Sequence, residues 1–403
     1  VVLPRTQKNI LVKTQGQIVR ASKCSLKFAT QAKRNQVKAM LSEYGSVVNQ
    51  FINLFWETPP KKKDLGVKLY GQARTWLSPT MCQIAAREAL DMISASKERD
   101  KEKAIKPVHY GKKMQLTAQV VKWGEATTED FDAWLTFTAI AADRSIMFSV
   151  PLKSHKHIQK LERRRFTRMN SYVVREDGVQ LAFQKKALEP KATGNVLAVD
   201  TGINALCSTS DREQFGLNMK ELVEDWKRCA WGSKAHKKAQ RRIVQYIREE
   251  AKRLFQKKDF GVLVVEGLHK LSHGTRQQNR LRKGMRRTLH GWRWRLWLDS
   301  LKALAEENCV LYASVNPAYT SQTCPVCSHV ERGNRNGEKF RCLSCGHSDN
   351  ADLNAARNIL QRFLGGIYGS SCNQGLTPSV SSVVSANQPS VLADALRLRL
   401  IPR

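Results

Sequence analysis

Four cysteines and three carboxylates hold most of the chemistry this sequence can perform. Cys324-Pro-Val-Cys327 is followed, after fourteen residues, by Cys342-Leu-Ser-Cys345. Two Cys-x-x-Cys pairs at that separation fit a tetrahedral thiolate site for one Zn²⁺, each pair on its own tight knuckle. Four thiolates leave no position open for water, so this zinc is expected to be structural. Its binding, on the order of 10 kcal/mol, can order a loop that would not fold alone. Asp200 closes the apolar run Val196-Leu-Ala-Val, and Glu266 closes Val262-Leu-Val-Val. Asp352 lies in Asp349-Asn-Ala-Asp352-Leu-Asn354-Ala-Ala356-Arg-Asn358, where a helix with an apolar face of Leu353, Ala356, Leu360 and Phe363 begins.

A carboxylate at the end of a buried strand is costly unless something compensates it. If the two strands pair and the helix packs on them, the three acids converge. The usual compensation is then a pair of divalent ions bound through carboxylates, waters and substrate phosphates. Two such ions, about 4 Å apart, can activate a water and stabilise the leaving oxygen of a phosphodiester. Any one of these acids alone would read as a strand terminator or as a favourable partner of the helix dipole. The combination with the cysteines and with the charge of the chain points to metal-dependent cleavage of nucleic acid. Asp349 is expected to stand apart, as the N-cap of the helix.

The elements that must position these groups divide the chain in two. Residues 8–30 alternate as short strands. An amphipathic helix is expected over 31–56, with Val37, Leu41, Tyr44, Val48, Phe51 and Phe55 at helical spacing. Pro59-Pro60 breaks it, and a second helix is expected across Met81–Ser96. Strand patterns return at 116–121, 133–138 and 145–150. A hairpin over 171–185 turns at Asp177-Gly178. Glu189-Pro-Lys-Ala-Thr-Gly194 reads as a linker. Beyond it come strands at 196–200, 205–209, 262–266 and 310–315, with a long Lys- and Arg-rich helical section near 219–257. Residues 369–390, mostly Ser, Val, Asn and Pro, read as a tail without periodicity.

The chain has 403 residues, 68 Lys+Arg against 35 Asp+Glu, and a net charge of +33. An excess spread along the whole chain favours an extended polyanionic partner over one small basic patch. No run of 18 apolar residues occurs, which argues against a membrane span. The N-terminus has neither a signal-peptide core nor an initiator Met, as in a trimmed chain. Six scattered cysteines without a disulfide-like framework suggest a reducing cytoplasm, and a nuclease there would associate with the nucleoid. From Lys270 to Leu298 there is no acid at all. Arg276, Arg280, Arg282, Lys283, Arg286 and Arg287 are therefore expected to contact phosphate. The tryptophans of Trp292-Arg-Trp-Arg-Leu-Trp297 could stack on bases or form the buried face of a helix.

With these residues in hand, the chain resembles the TnpB family of transposon-encoded RNA-guided nucleases and their miniature type V CRISPR relatives. The matching pieces are Val199-Asp200-Thr-Gly-Ile, Val264-Val-Glu266-Gly-Leu, Asn316-Pro-Ala-Tyr-Thr320-Ser-Gln-Thr-Cys324, Gly333-Asn-Arg335 and Asn350-Ala-Asp352-Leu-Asn-Ala-Ala-Arg-Asn. The similarity is clear over roughly 195–362. It departs from the commoner pattern after Asp200, where Thr-Gly replaces Leu-Gly, and after Glu266, where Gly-Leu replaces Asp-Leu.

The resemblance implies an α+β multidomain protein. An N-terminal wedge-like β-barrel (1–30 and 110–188) would carry a helical recognition insert (31–109). A split RuvC-like nuclease of RNase H fold (189–315 and 350–365) would carry the four-cysteine zinc ribbon (316–349), followed by a flexible tail (366–403). It further implies that Asp200, Glu266 and Asp352 bind two Mg²⁺ ions, with Arg335 assisting at the active site. The implied partners are a guide RNA and double-stranded target DNA bearing a flanking motif; the guide could come from a transposon end or a CRISPR array, and the compact length of the chain favours the former. A monomer or homodimer is compatible with the sequence. Other readings are a guide-independent RuvC-like resolvase and a catalytically silent guided DNA-binding protein.

Overall fold

The computed structural model describes residues 11–12, 16–62, 65, 71–99, 104–126, 130–143, 145–188, 194–268 and 283–368. They form two compact units, one spanning Gln17–Lys186 and the other made of the remaining residues on both sides of it. The first described strand, β1 (Leu11–Val12), belongs to the second unit. It pairs antiparallel with Leu311–Val315, Val12 opposite Ala313. Residues 11–12, grouped with the barrel on sequence grounds, thus sit at the edge of the other unit's sheet.

The 17–186 unit runs β2 (Gln17–Ser25), α1 (Gln31–Phe55), α2 (Pro79–Arg99), β3 (Met114–Thr117), β4 (Val121–Glu125), β5 (Ala133–Phe137), β6 (Phe148–Leu152), α3 (Lys156–Arg163), β7 (Thr167–Arg175) and β8 (Gly178–Lys186). Its strands form two sheets, ordered β2-β8-β7-β3 and β4-β5-β6. All the pairings in both are antiparallel. The pattern at 116–121, expected as one strand, is two strands joined by a turn at 118–120. The 167–186 hairpin turns one residue earlier than expected, with Arg175 opposite Gly178 and Glu176-Asp177 between them. Gly178 already pairs in the strand, and the position requires glycine because a Cβ there would lie 2.4 Å from the Cys24 carbonyl oxygen. Gln17 pairs with Lys186 at the two ends of this unit, and just outside it the Ala187 amide donates to the Gly16 carbonyl at 3.3 Å.

Between β2 and β3, α1 and α2 pack along their apolar faces. Thr30 caps α1 by accepting from the Lys33 amide at 3.4 Å. All six positions expected to face the core of α1 are buried. One charged group joins them. Glu88 on α2 accepts a hydrogen bond from Tyr44 Oη at 2.8 Å, lies 2.9 Å from Lys113 Nζ, and has His109 Nε2 at 3.6 Å. The segment carrying His109 approaches α1 closely because Gly45 has no Cβ: one added there would fall 2.7 Å from Gly111 Cα.

The other unit contains β9 (Val196–Asp200), β10 (Cys207–Thr209), β11 (Gln214–Phe215), α4 (Met219–Arg228), α5 (Lys234–Lys257), β12 (Val262–Glu266), α6 (Lys283–Trp292), α7 (Trp294–Glu307), β13 (Leu311–Val315), β14 (Arg335–Asn336), β15 (Lys339–Arg341), β16 (Ser348–Asn350) and α8 (Ala351–Tyr368). Its main sheet has the order β1-β13-β12-β9-β10-β11. β9, β12 and β13 are mutually parallel; β10 runs antiparallel to β9, and β11 antiparallel to β10. The section 219–257, expected as one helical stretch, is two helices. Gly232 turns the chain at φ +79°, and Ser233 then caps α5 by accepting from the His236 amide at 3.0 Å.

The period of two along each strand decides which residues face which layer. Leu197, Val199, Leu263 and Val265 pack with Trp226 of α4, Ile247 of α5, and Trp297 and Leu301 of α7. Val196, Ala198, Val262 and Val264 face the other way, onto Ile359 and Phe363 of α8. Trp292 and Trp297 are core residues, which selects the second of the two roles open to them. Arg293, left-handed at φ 48° and ψ 41°, separates α6 from α7.

Candidate active site and metal centres

Asp200 and Glu266 continue the even-numbered series Val196–Ala198 and Val262–Val264. Both therefore project to the face covered by α8, and the parallel register Val265↔Val199 sets them side by side at the carboxyl ends of adjacent strands. Asp352 enters from the first turn of α8. All three are buried, at 8%, 7% and 8% exposure. Burial pushes the Asp200 carboxyl well above the usual carboxylate range, and the neighbouring Glu266 and Asp352 push it further. Burial likewise raises Glu266, against the Thr320 hydroxyl and the Arg362 and Arg335 charges, which lower it. The acids expected to converge are brought together.

Arg335 Nη2 donates to Asp352 Oδ1 at 3.0 Å, and its Nε donates to the Gly337 carbonyl at 3.1 Å. Asp349 does not cap α8. Asn350 does: its Oδ1 accepts from the amides of Asp352 at 2.9 Å and Leu353 at 3.2 Å. Asp349 instead accepts both Nη groups of Arg212 at 3.0 Å and Arg357 Nη1 at 3.1 Å. Burial alone would raise its pKa, but these arginines and the Asn350 amide hold it below the usual range. The two arginines and the Asn350 amide at 2.8 Å turn the Asp349 carboxylate away from the helix, and the next residue takes the cap.

The cluster fits divalent cations. Three buried carboxylates repel one another, and Thr201 Oγ1, next to Asp200, is buried without a hydrogen-bond partner among the described residues.

The cysteine cluster is the ribbon. The sulfurs of Cys324, Cys327, Cys342 and Cys345 all lie within 4.8 Å of one another, close enough for a tetrahedral Zn²⁺. The two knuckles repeat one backbone pattern. Cys324 N donates to His329 O at 2.9 Å and Cys342 N to His347 O at 2.8 Å, while Ser328 N and Gly346 N return to Cys324 O and Cys342 O, each at 3.0 Å. The residue after each second cysteine is left-handed, Ser328 at φ 62° and Gly346 at φ 75°. The buried Asn334 bridges the knuckles, donating to Gln322 O at 3.0 Å and accepting from Leu343 N at 2.9 Å. The ribbon reaches α8 directly. Ala351 packs with Cys324, Phe340 and Cys342, and its amide donates to Glu338 O at 2.8 Å. One residue later comes Asp352.

Of the basic residues, Arg276, Arg280 and Arg282 lie outside the described residues, and Lys283 opens α6. Arg286 is exposed. Arg287 is partly engaged within its unit: Nη2 donates to Cys229 O at 3.1 Å and the guanidinium lies 5.8 Å from the centroid of Trp226. Sequence reasoning missed three contributors. Thr320 Oγ1 donates to Glu266 Oε1 at 2.5 Å, Arg362 adds its charge near the same acid, and Trp292 Nε1 donates to Gly202 O at 2.7 Å, pinning the turn after Asp200.

Parts of the chain are similar to known proteins. Residues 294–359 match the model of the Cas12f1-like TNB domain. The CRISPR-associated endodeoxyribonuclease Cas12f1 of Sulfoacidibacillus thermotolerans is 40% identical over 74 residues, 18% of each chain. The putative RNA-guided DNA endonuclease InsQ of Escherichia coli (strain K12) is 40% identical over 105 residues, 24% of this chain and 26% of InsQ. These matches span about a fifth to a quarter of the curated relatives' length. Among solved structures, the Cas12f1–sgRNA–target DNA complex aligns at a TM-score of 0.49 and 14% identity, over 82% of this chain and 83% of that one. Residues 294–359 thus match the Cas12f1-like TNB domain, and over the aligned stretches the chain is similar to Cas12f1 and InsQ, in line with its resemblance to TnpB and the miniature type V nucleases.

Proposed function

We propose that the protein is an RNA-guided DNA endonuclease whose hydrolytic site is the cluster of Asp200, Glu266 and Asp352. One observation carries this: three buried carboxylates from β9, β12 and α8 meet on one face of a mixed sheet. The relatives' activities, an endodeoxyribonuclease and a putative RNA-guided DNA endonuclease, agree with it. On this reading the 194–368 portion is a RuvC-like nuclease of RNase H fold, and the 17–186 unit supplies the wedge-like barrel and helical insert that hold guide RNA and heteroduplex. Base pairing with a guide from a transposon end selects the target, while the protein reads a flanking motif and the shape of the heteroduplex.

Asp200, Glu266 and Asp352 would hold two Mg²⁺ ions, which supply charge neutralisation at the phosphodiester and an activated water. The chain's own residues do the rest. The low-dielectric floor formed by β9 and β12 strengthens every charge interaction at the site. Arg335 fixes the Asp352 carboxylate and offers cationic charge to the phosphate. Arg286 and the basic residues before it offer further positive charge to the nucleic acid, and the products are a 5′-phosphate and a 3′-hydroxyl. The zinc of the ribbon is structural. The test is cleavage of a target plasmid with and without guide RNA. Asp200→Ala and Glu266→Ala should each lower cleavage by at least about 10³-fold, several kcal/mol of transition-state stabilisation, and leave guided binding intact. Wild-type cutting by either variant would refute the site, and cutting without guide would refute the guided mechanism.

A further inference from the structure

The motif Asn316-Pro-Ala-Tyr-Thr320-Ser-Gln-Thr323 carries the hydroxyl that meets Glu266. It leads from β13 to the first zinc knuckle through turns that satisfy the Pro317 and Tyr319 carbonyls within the loop, and buried carbonyls left over need partners from elsewhere. Those of Asn316, Ala318, Thr320 and Thr323 find them on α8. Asn354, Asn358 and Arg362 follow one another at four-residue spacing, which aligns them along one helix face. Asn354 Nδ2 donates to Thr323 O at 3.0 Å. Asn358 Nδ2 donates to Thr320 O at 2.8 Å and to Thr323 O at 2.7 Å. Arg362 Nη1 donates to Asn316 O and Ala318 O. Both asparagines are buried, Asn354 completely. Buried amides are expensive unless bonded, and these are spent on fixing one loop.

The loop in turn holds a strained residue and a short contact. Tyr319 has φ 62°, a left-handed backbone that costs a side-chain-bearing residue about 1 kcal/mol or more. The next residue, Thr320, is buried and directs its hydroxyl to Glu266 Oε1 at 2.5 Å, while Pro317 O lies at 3.1 Å. A hydroxyl has one proton to give, and the shorter contact takes the larger share. Glu266 Oε2 accepts no hydrogen bond among the described residues, so one oxygen is fixed and the other is left open.

We propose that Thr320 is a positioning residue for Glu266, and that the Asn354–Asn358–Arg362 ladder of α8 sets the loop that carries it. The helix that delivers Asp352 thereby also orients Glu266, and the two acids are placed by one rigid piece. This rests on the endonuclease reading above, in which Glu266 is an ion ligand. Partners of that kind typically govern affinity and activity by 10- to 100-fold.

The experiment compares Thr320→Val, which keeps the shape and removes the donor, with Thr320→Ser, which restores it. Mn²⁺ binding to the full chain, freed of nucleic acid by high salt, is followed by the electron paramagnetic resonance of the free ion, and guided cleavage is measured in parallel. Thr320→Val should retain zinc and its melting transition, bind Mn²⁺ roughly tenfold more weakly and cleave 10- to 100-fold more slowly. Thr320→Ser should stay within about threefold of wild type. Should Thr320→Val fail to fold, Thr320→Ala carries the same expectation. Wild-type Mn²⁺ affinity and cleavage in the donor-less variant would overturn the proposal, as would equal losses in the valine and serine variants. Asp200→Ala run alongside separates the two ideas: if it still binds Mn²⁺ and cuts, the site assignment fails, whereas its loss beside an unaffected Thr320→Val removes only the role of Thr320.

Discussion

Asp200 ends a strand whose other four residues are all apolar and buried, and its folded-state pKa is raised by burial and by Glu266 and Asp352. A carboxyl with a raised folded value favours the native state while protonated, and that contribution is lost as pH rises through the folded value. At neutral pH without divalent ions, Asp200 therefore opposes folding. Asp200→Asn should raise the melting temperature in EDTA by a few degrees, an effect of roughly 1–2 kcal/mol, and should blunt the stabilisation that Mg²⁺ gives the wild type. A thermal melt with and without Mg²⁺ measures both, and a variant less stable than wild type in EDTA would contradict the account. The acids and cysteines were legible in the sequence because Asp200 and Glu266 each close an apolar run, Asp352 stands at a helix start, and the cysteines come as two Cys-x-x-Cys pairs. Thr320 and Arg362 were not, because their importance lies in where the side chain points, and nothing local in Tyr-Thr-Ser announces a contact 54 residues away. Asn350 was passed over for Asp349 for a related reason: the arginines that occupy Asp349 come from Arg212 and Arg357, and only the fold brings them there.

Among the elements, α1 and α2 depend on a charged group that periodicity gives no hint of. Burial would raise Glu88, but His109, Lys113 and Tyr44 hold it down at about 2. A depressed folded value contributes stability above the unfolded pKa, and that stability is lost as pH falls through the folded value. The window runs from about pH 4.5 down to about pH 2. The contribution at neutral pH is on the order of 3 kcal/mol. Glu88→Gln should destabilise the 17–186 unit by roughly 3 kcal/mol or more, because it leaves Lys113 and His109 facing a neutral amide. It should also flatten the acid limb of the unfolding curve, and chemical denaturation at pH 7 and pH 3 reads both effects. The helices themselves were legible from apolar spacing and caps. The turn at 118–120 and the break at Arg293 were not, since neither has a Gly or Pro to mark it, and tertiary packing overrode the local pattern.

For the whole molecule, the positive charge is the dominant fact. With 68 basic and 35 acidic side chains, association with nucleic acid should weaken steeply with salt as counterions return to the phosphates. Guided-complex affinity for DNA should fall by about 10³-fold or more between 50 and 200 mM salt. A binding series at fixed Mg²⁺ measures the slope, and a flat one would show that the charge does not face the nucleic acid. The two-part plan of the chain was readable from its strand and helix patterns. That β1 joins the far sheet was not, because two apolar residues near the start fit any edge.

That small strand has a consequence for descent. Since β1 is built into the acid-bearing sheet and Gly16 hydrogen-bonds Ala187, the two ends of the 17–186 stretch lie side by side. Two breakpoints in the gene, one at each of those positions, would replace the entire intervening unit and sever no described strand of the sheet that holds Asp200 and Glu266. Chains that share this acid-bearing sheet are thus expected to differ most in the stretch between those positions.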